Sequence, residues 1–437
     1  MNNYLLRVAA ALPFLWPLTT SANFTMSTHQ TTMVVASDVH VMAPSLLIED
    51  GEAYADYMRN DRKMLKESPL LLEQLTREIL AERPRYVLVT GDLTKDGEEA
   101  SHRYLVEHCL SRLREAGIQP FVIPGNHDVN NPHAVEFLGD STRRVKTVTR
   151  EEFADIYYDY GYGQAMVRDT ASLSYVVQIT DSVRLLALDA CEYDRNDFAT
   201  DHCYHEGYVR PATLRFVEEQ LARAKADGVE VIGMMHHGLT EHWKYQNRVL
   251  PGYVADNADA LNKLLKEGGV KAVFTGHLHT QDIAETSNGI MDIETGSLVS
   301  YPSPYRLATL DETKGTLSVT TRTLTDVAGL DTGDKTYADY AREHTSAGVR
   351  AIVGRMFPEK VPADLKSRAT DIITEAMADN YRGDEQLTPE RDADIKTTAR
   401  QLRKYTFKWS IVFKRVARAL LNDAAPADHS LTVSYRR

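Results

Sequence analysis

The chain has 437 residues, 43% of them hydrophobic, which is enough for one large domain or a core domain with a smaller companion, and it is no small stapled scaffold. Its formal net charge of -12 argues against a general affinity for nucleic-acid backbones. Three cysteines, Cys109, Cys191 and Cys203, are too few and too scattered for a disulfide framework or a CxxC zinc site, and leave open only a Cys191–Cys203 pair in an exported chain.

Residues 1–22 read as a cleavable signal peptide: Arg7, an apolar stretch from Val8 to Leu18, then small residues up to Ala22. The expectation is export to the periplasm or beyond the cell; without that leader the chain would be cytoplasmic. From Thr31 onward, short β-branched runs alternate with amphipathic stretches, the pattern of a sheet covered by helices. Strands are expected at Met33–Ser37, Tyr86–Thr90, Phe121–Pro124, Arg184–Asp189, Val231–Met235 and Lys271–Thr275. Helical spacing marks Leu70–Arg83, Glu98–Ala116, Pro211–Ala226 and Asp259–Glu267, the first with an apolar face of Leu71, Leu72, Leu75, Ile79 and Leu80. Residues 131–172, with Tyr157, Tyr158, Tyr160 and Tyr162, form a long insertion, which reads equally as a lid over the site or as a segment packed on the helices. Ile290–Thr321 reads as further strands broken by Pro302 and Pro304.

After Leu324 the character changes. Residues 326–424 form a helical C-terminal region, with helices expected at Tyr337–Met356, Ala363–Tyr381 and Glu390–Leu421, and residues 425–437 a loose tail. In the last helix Tyr405, Trp409, Val412, Phe413, Val416 and Leu420 share a face, and lysines and arginines populate the rest. Packing of that face on its own domain is the default for an amphipathic helix; contact with a membrane surface is the weaker alternative.

The histidines and carboxylates sit where the strands end. Asp38 and His40 follow the first strand, Gly91-Asp92 the second and Gly125-Asn126-His127-Asp128 the third; His236-His237 and Gly276-His277-Leu278-His279 follow two later ones. Open α/β sheets bind ligands beyond the carboxyl ends of their strands, so these five clusters converge on one crevice. Singly, each reads as a cap or a turn; together they are not an accident. Imidazoles, carboxylates and one amide oxygen, without thiolates, suit Mn²⁺, Fe or Zn²⁺. Seven ligands exceed one ion's needs, and with Asp92 shared they divide into two sets of four, the arrangement for two divalent ions about 3.5 to 4 Å apart.

Asp38-x-His40, Gly91-Asp92, Gly125-Asn126-His127-Asp128, His236 and Gly276-His277-x-His279 resemble the five blocks of the calcineurin-like metallophosphoesterases, the superfamily of purple acid phosphatases and class III cyclic-nucleotide phosphodiesterases. The resemblance covers residues 31–325 and implies an α/β fold in which two mixed β-sheets pack as a sandwich flanked by helices. It implies that Asp38, His40, Asp92 and His279 hold one ion and Asp92, Asn126, His236 and His277 the other. It prefers His236 to His237, because the family ligand is the first histidine after its strand. His127 is then the group that assists the leaving oxygen, with Asp128 orienting its ring. The activity implied is hydrolysis of a small phosphoester by a water activated between the metals, with phosphodiesters preferred. A monoesterase of the same fold and a catalytically silent metal-binding scaffold are the alternatives. Protein partners are not legible.

Overall fold

A computed structural model describes residues 29–59 and 61–436, so the signal peptide expected at residues 1–22 lies outside the described residues. Two mixed sheets carry the architecture. The first runs in the order Ser430–Ser434, Thr316–Thr323, Pro304–Asp311, Gln30–Ala36, Tyr86–Val89, Gln119–Val122; its last three strands are parallel, and the others join by antiparallel pairing. The second runs Asp282–Glu285, Met291–Glu294, Ala272–Thr275, Glu230–Met235, Val183–Leu188, Tyr175–Thr180, Val167–Arg168, with the four strands from Met291–Glu294 to Val183–Leu188 parallel and the outer ones antiparallel.

The parallel strands are almost continuously apolar because both of their faces are covered. Val35, Leu88 and Phe121 of the first sheet share one buried cluster with Leu185, Ile232 and Phe274 of the second and with the Leu71, Leu72, Leu75 and Ile79 face of the helix Ser68–Glu82. The outer face of the second sheet, through Val231, Met235 and Val273, is covered by Val217 and Leu221 of Pro211–Ala226 and by Leu261 and Leu265 of Ala258–Gly268. This is the sandwich flanked by helices that the sequence implied. A separate cluster belongs to the C-terminal helices Tyr337–Met356, Ala363–Arg382, Pro389–Leu402 and Phe407–Ala419, joined by Trp243 and Leu278 of the sheet domain.

Four expectations are corrected. The long last helix is two, because Thr406 turns the chain and its side chain accepts a hydrogen bond from the Trp409 amide as an N-cap. The tail is no loose end: Leu431, Val433 and Tyr435 alternate at the period of a strand, and Ser430–Ser434 pairs with Thr316–Thr323. The insertion is no lid. Its Val135–Leu138 and Thr142–Arg144 form a hairpin beside Leu47–Glu49, its helix Arg150–Ile156 starts in a Thr149/Glu152 capping box, and Phe153, Tyr157, Tyr160 and Tyr162 are buried in the main core. Pro304 opens a strand instead of breaking one. Cys191 and Cys203 are both free thiols.

Candidate metal centre

The loops that carry the site are held by their backbones. The Asp38 amide donates to the Gly91 carbonyl (3.1 Å), the His40 amide to the Asp92 carbonyl (2.8 Å) and the Gly276 amide to the His236 carbonyl (3.0 Å), so ligands far apart in sequence are fixed in pairs. Asp38, His40, Asp92, His277 and His279 all take left-handed backbone conformations, with φ between 40° and 77°. Such angles are uncommon outside glycine and persist only where the surroundings impose them, which concentrates them at functional sites. Gly125 is required by crowding, since a Cβ there would collide with the carboxylate and the backbone nitrogen of Asp92.

All seven expected ligands converge. Asp38, His40, Asp92 and His279 present ligand atoms within 4.8 Å of one another, and so do Asp92, His236 and His277, with Asp92 common to both groups. His279 Nε2 lies 3.2 Å from Asp38 Oδ1 and 3.4 Å from His40 Nε2; His236 Nε2 lies 3.4 Å from Asp92 Oδ2 and 3.2 Å from Asn126 Oδ1. His237 turns away, its Nε2 meeting the His205 carbonyl at 3.0 Å.

The hydrogen bonds leave the metal-binding atoms free. Asp38 Oδ2 accepts from Ser37 Oγ (2.5 Å) and the His277 amide (3.0 Å), whereas Oδ1 makes no hydrogen bond and faces the His279 and His40 rings. Asp92 Oδ1 accepts the His127 amide (2.9 Å) while Oδ2 faces the histidines. His236 Nδ1 donates to the Thr90 carbonyl (2.8 Å), a second contact that leaves Nε2 as the lone-pair donor. His277 Nε2 is buried without a partner. Orphaned acceptors of this kind are costly to bury, and a donor set of carboxylate, imidazole and amide atoms fits divalent cations.

The protein's own charges are arranged accordingly. Burial acts against ionising Asp92, but His236, His127 and His40 hold it well below the usual carboxylate range. Burial pushes the His40 and His277 imidazoles well down, toward the neutral form that binds metal.

His127 sits at the rim with a quarter of its side chain exposed, Nε2 4.0 Å from Asp92 Oδ2. Its Nδ1 lies 2.7 Å from the Lys95 carbonyl and 2.8 Å from Asp96 Oδ1, two acceptors that require a proton on Nδ1. Burial and Lys63 oppose protonation of the ring, but Asp92 and Asp96 outweigh them and raise its pKa. Asp96, which the sequence reading missed, therefore orients His127. Asp128 does not: its carboxylate points inward and accepts from the Gly125 and Leu93 amides and from the amide and hydroxyl of Thr94, at 2.8 to 3.0 Å. It ties the third-strand loop to the second. The same loop is propped by the insertion, because His102 Nε2 donates to the Asp128 carbonyl (2.9 Å) and His102 Nδ1 accepts from Tyr157 Oη (2.8 Å). Asp96 itself is ion-paired to the buried Lys95 (2.7 Å), which also meets Glu98 (2.8 Å). The charged pair Lys95-Asp96, in the loop that follows the strand Tyr86–Val89, was the signal available for it.

The family model of the calcineurin-like phosphoesterases matches residues 31–281. The chain is 25% identical over 241 residues to a cAMP/cGMP dual specificity phosphodiesterase of Mycobacterium tuberculosis, covering 55% of this chain and 61% of that protein. It is 26% identical over 194 residues to a protein of Rhodopseudomonas palustris named probable cyclic nucleotide phosphodiesterase, covering 44% and 56%. The matches thus span less than two thirds of either relative. Among solved structures, a dimetal phosphatase from Danio rerio superposes with a TM-score of 0.50 at 18% identity, covering 67% of this chain and 96% of that one, a likeness of fold.

Proposed function

This chain belongs to the calcineurin-like phosphoesterase family, and from that premise we propose that it is a metal-dependent phosphoester hydrolase working with two divalent ions. Asp38, His40, Asp92 and His279 would hold one ion, and Asp92, Asn126, His236 and His277 the other. The observation that carries this reading is the pair of ligand groups sharing Asp92, in which Asp38 Oδ1 and His277 Nε2 are buried without a hydrogen-bond partner. When bound, two such ions neutralise phosphate charge and supply an activated water near neutral pH.

The chain's own residues do the rest. The Lys95 carbonyl and Asp96 fix the His127 ring so that Nε2 faces the centre, and a ring protonated on both nitrogens donates from Nε2 to the departing ester oxygen. The leaving group exits neutral, and the ring regains a proton from solvent at the rim. Lys63, buried beside Asp61 (3.4 Å), acts electrostatically on His40, His127 and His279. A phosphodiester is the preferred substrate, as the names of the two relatives support.

The test is hydrolysis of bis(4-nitrophenyl) phosphate and 4-nitrophenyl phosphate by protein stripped of metal and then given Mn²⁺. Turnover restored by Mn²⁺ and faster on the diester is the expected result. Turnover faster on the monoester would reverse the preference, and none on either substrate, with two ions bound, would overturn the reading.

A further inference from the structure

Between the metal centre and the C-terminal helices lies a cavity of about 530 Å³, within the range of sites that engulf a small ligand. One wall is the segment that carries the metal site: Leu278 and Thr280 alternate with His277 and His279, and Tyr253 stacks on the His277 ring at 4.5 Å between centroids. A second wall is Trp243, Tyr245 and Leu250 of the sheet domain, and the remaining walls are Val353, Ile373, Trp409, Val412 and neighbouring apolar residues of the helices. The helical walls lie beyond residue 281, outside the stretch that the family model matches.

Two features identify what the cavity would take. Its amide and aliphatic hydroxyl are already spent on the protein: Thr280 Oγ1 donates to Asn380 Oδ1 (3.1 Å) and Asn380 Nδ2 to Glu385 Oε1 (2.5 Å). The neutral polar atoms that remain are single hydroxyls and indole N–H groups on aromatic rings, and the aliphatic and aromatic walls suit hydrocarbon. Every charged residue that lines it is cationic, namely Arg62, Arg248, Lys408 and Arg415, in a chain of net charge -12. Arg62 lies nearest the metal site, where its charge acts on His279, and its buried Nε has no hydrogen-bond partner. The mouth carries exposed Met356 and Val249 (50% and 38% accessible) among those cations, an amphiphilic rim.

We propose that this cavity binds the alkyl or acyl chain of an amphiphilic phosphoester whose phosphate lies at the metal centre, so that the substrate of the hydrolysis proposed above, on which this inference rests, carries a long hydrocarbon group. Each methylene buried in such a site contributes about 0.8 kcal/mol, close to a fourfold gain in affinity.

The experiment is calorimetric titration of the full-length, Mn²⁺-loaded protein with methyl-, octyl-, decyl- and dodecylphosphonate, hydrolysis-resistant probes kept below their micelle concentrations. Affinity should climb between methyl and dodecyl by at least about a hundredfold, with a heat-capacity change that grows more negative along the series. Val353→Trp and Val412→Trp, each filling the cavity from a different helix, should flatten the climb. The wild-type series decides the matter even if neither variant folds: dodecyl- and methylphosphonate binding within about threefold of each other overturns the proposal. So does binding of 3′,5′-cyclic AMP that is lost in either folded variant, because the cavity would then be a base pocket. Turnover of bis(4-nitrophenyl) phosphate by the same preparation separates the two readings. Turnover with a flat series overturns the cavity assignment alone; a steep series without turnover upholds the hydrocarbon site and overturns the hydrolase reading.

Discussion

The metal centre and the cavity beside it share the segment 277–280 and are built by opposite means. At the centre the backbone does the positioning, through left-handed residues, crossed amide bonds and a glycine that nothing larger can replace. On the cavity's C-terminal side the backbone is ordinary helix, and the shape there comes from side-chain volume. A site built on backbone tolerates little change and keeps its chemistry; a site built on side chains is open to reshaping one residue at a time.

The largest expected effect is at the residue common to both ligand groups. Asp92→Asn should cut Mn²⁺-dependent turnover by about a thousandfold or more, equivalent to ~4 kcal/mol, and lower metal content measured by elemental analysis. Two bound ions with full turnover in this variant would remove Asp92 from its role.

The contrast in construction is tested next by one substitution of each kind. Gly125→Ala should lose metal, because the added methyl drives into Asp92. Ile373→Ala, in the cavity wall, should cost about 2 to 5 kcal/mol in urea denaturation while both ions stay bound. Metal loss in the second variant, or retention in the first, would break the distinction drawn between the regions.

Within the centre, His127→Ala should slow hydrolysis by about a hundredfold or more with metal retained, most for esters with poor leaving groups. Asp96→Asn should give a smaller loss, about tenfold, since the Lys95 carbonyl still holds Nδ1. Equal slowing across leaving groups would count against proton donation.

The smallest effect belongs to the cavity's far side. Burial, with Asp282 nearby, pushes the Glu385 carboxyl up to about 8 from its ordinary 4.5, against the hydrogen bond from Asn380. A raised folded-state pKa adds stability that is fully present below about pH 4.5 and lost as pH rises through about 8. Wild type should therefore lose about 1 to 2 kcal/mol more than Glu385→Gln between pH 5 and pH 9, after allowance for solvent screening. Parallel pH slopes for the two proteins in urea denaturation would exclude Glu385 as the source.

The strand ends, the convergence of the seven candidate ligands and the four long helical stretches of the sheet domain were legible because each has a local signature. A β-branched run followed by Gly-Asn-His-Asp, or by Gly-His-Leu-His, announces both the strand and the loop that ends it. The tail strand carried such a signature too, in the alternation of Leu431, Val433 and Tyr435, but a lone period-2 run has no partner until Thr316–Thr323 is folded beside it. Tyr157, Tyr160 and Tyr162 of the insertion read as candidates for a lid and proved to be core, while Tyr158 stays exposed, since polarity at one atom says little about where a large ring is buried.

Which residues meet the metal site followed from the sequence alone, because strand ends in such a sheet all open on one edge. Which carboxylate serves His127 did not. Asp128 is its neighbour in sequence, yet the turn from Gly125 aims that carboxylate at Leu93 and Thr94, and Asp96 arrives from another loop. The cavity likewise exists only once helices at residues 337–419 lie against the segment 277–280. Both features depend on distances between parts of the chain that no local pattern encodes, so only the tertiary structure decided them.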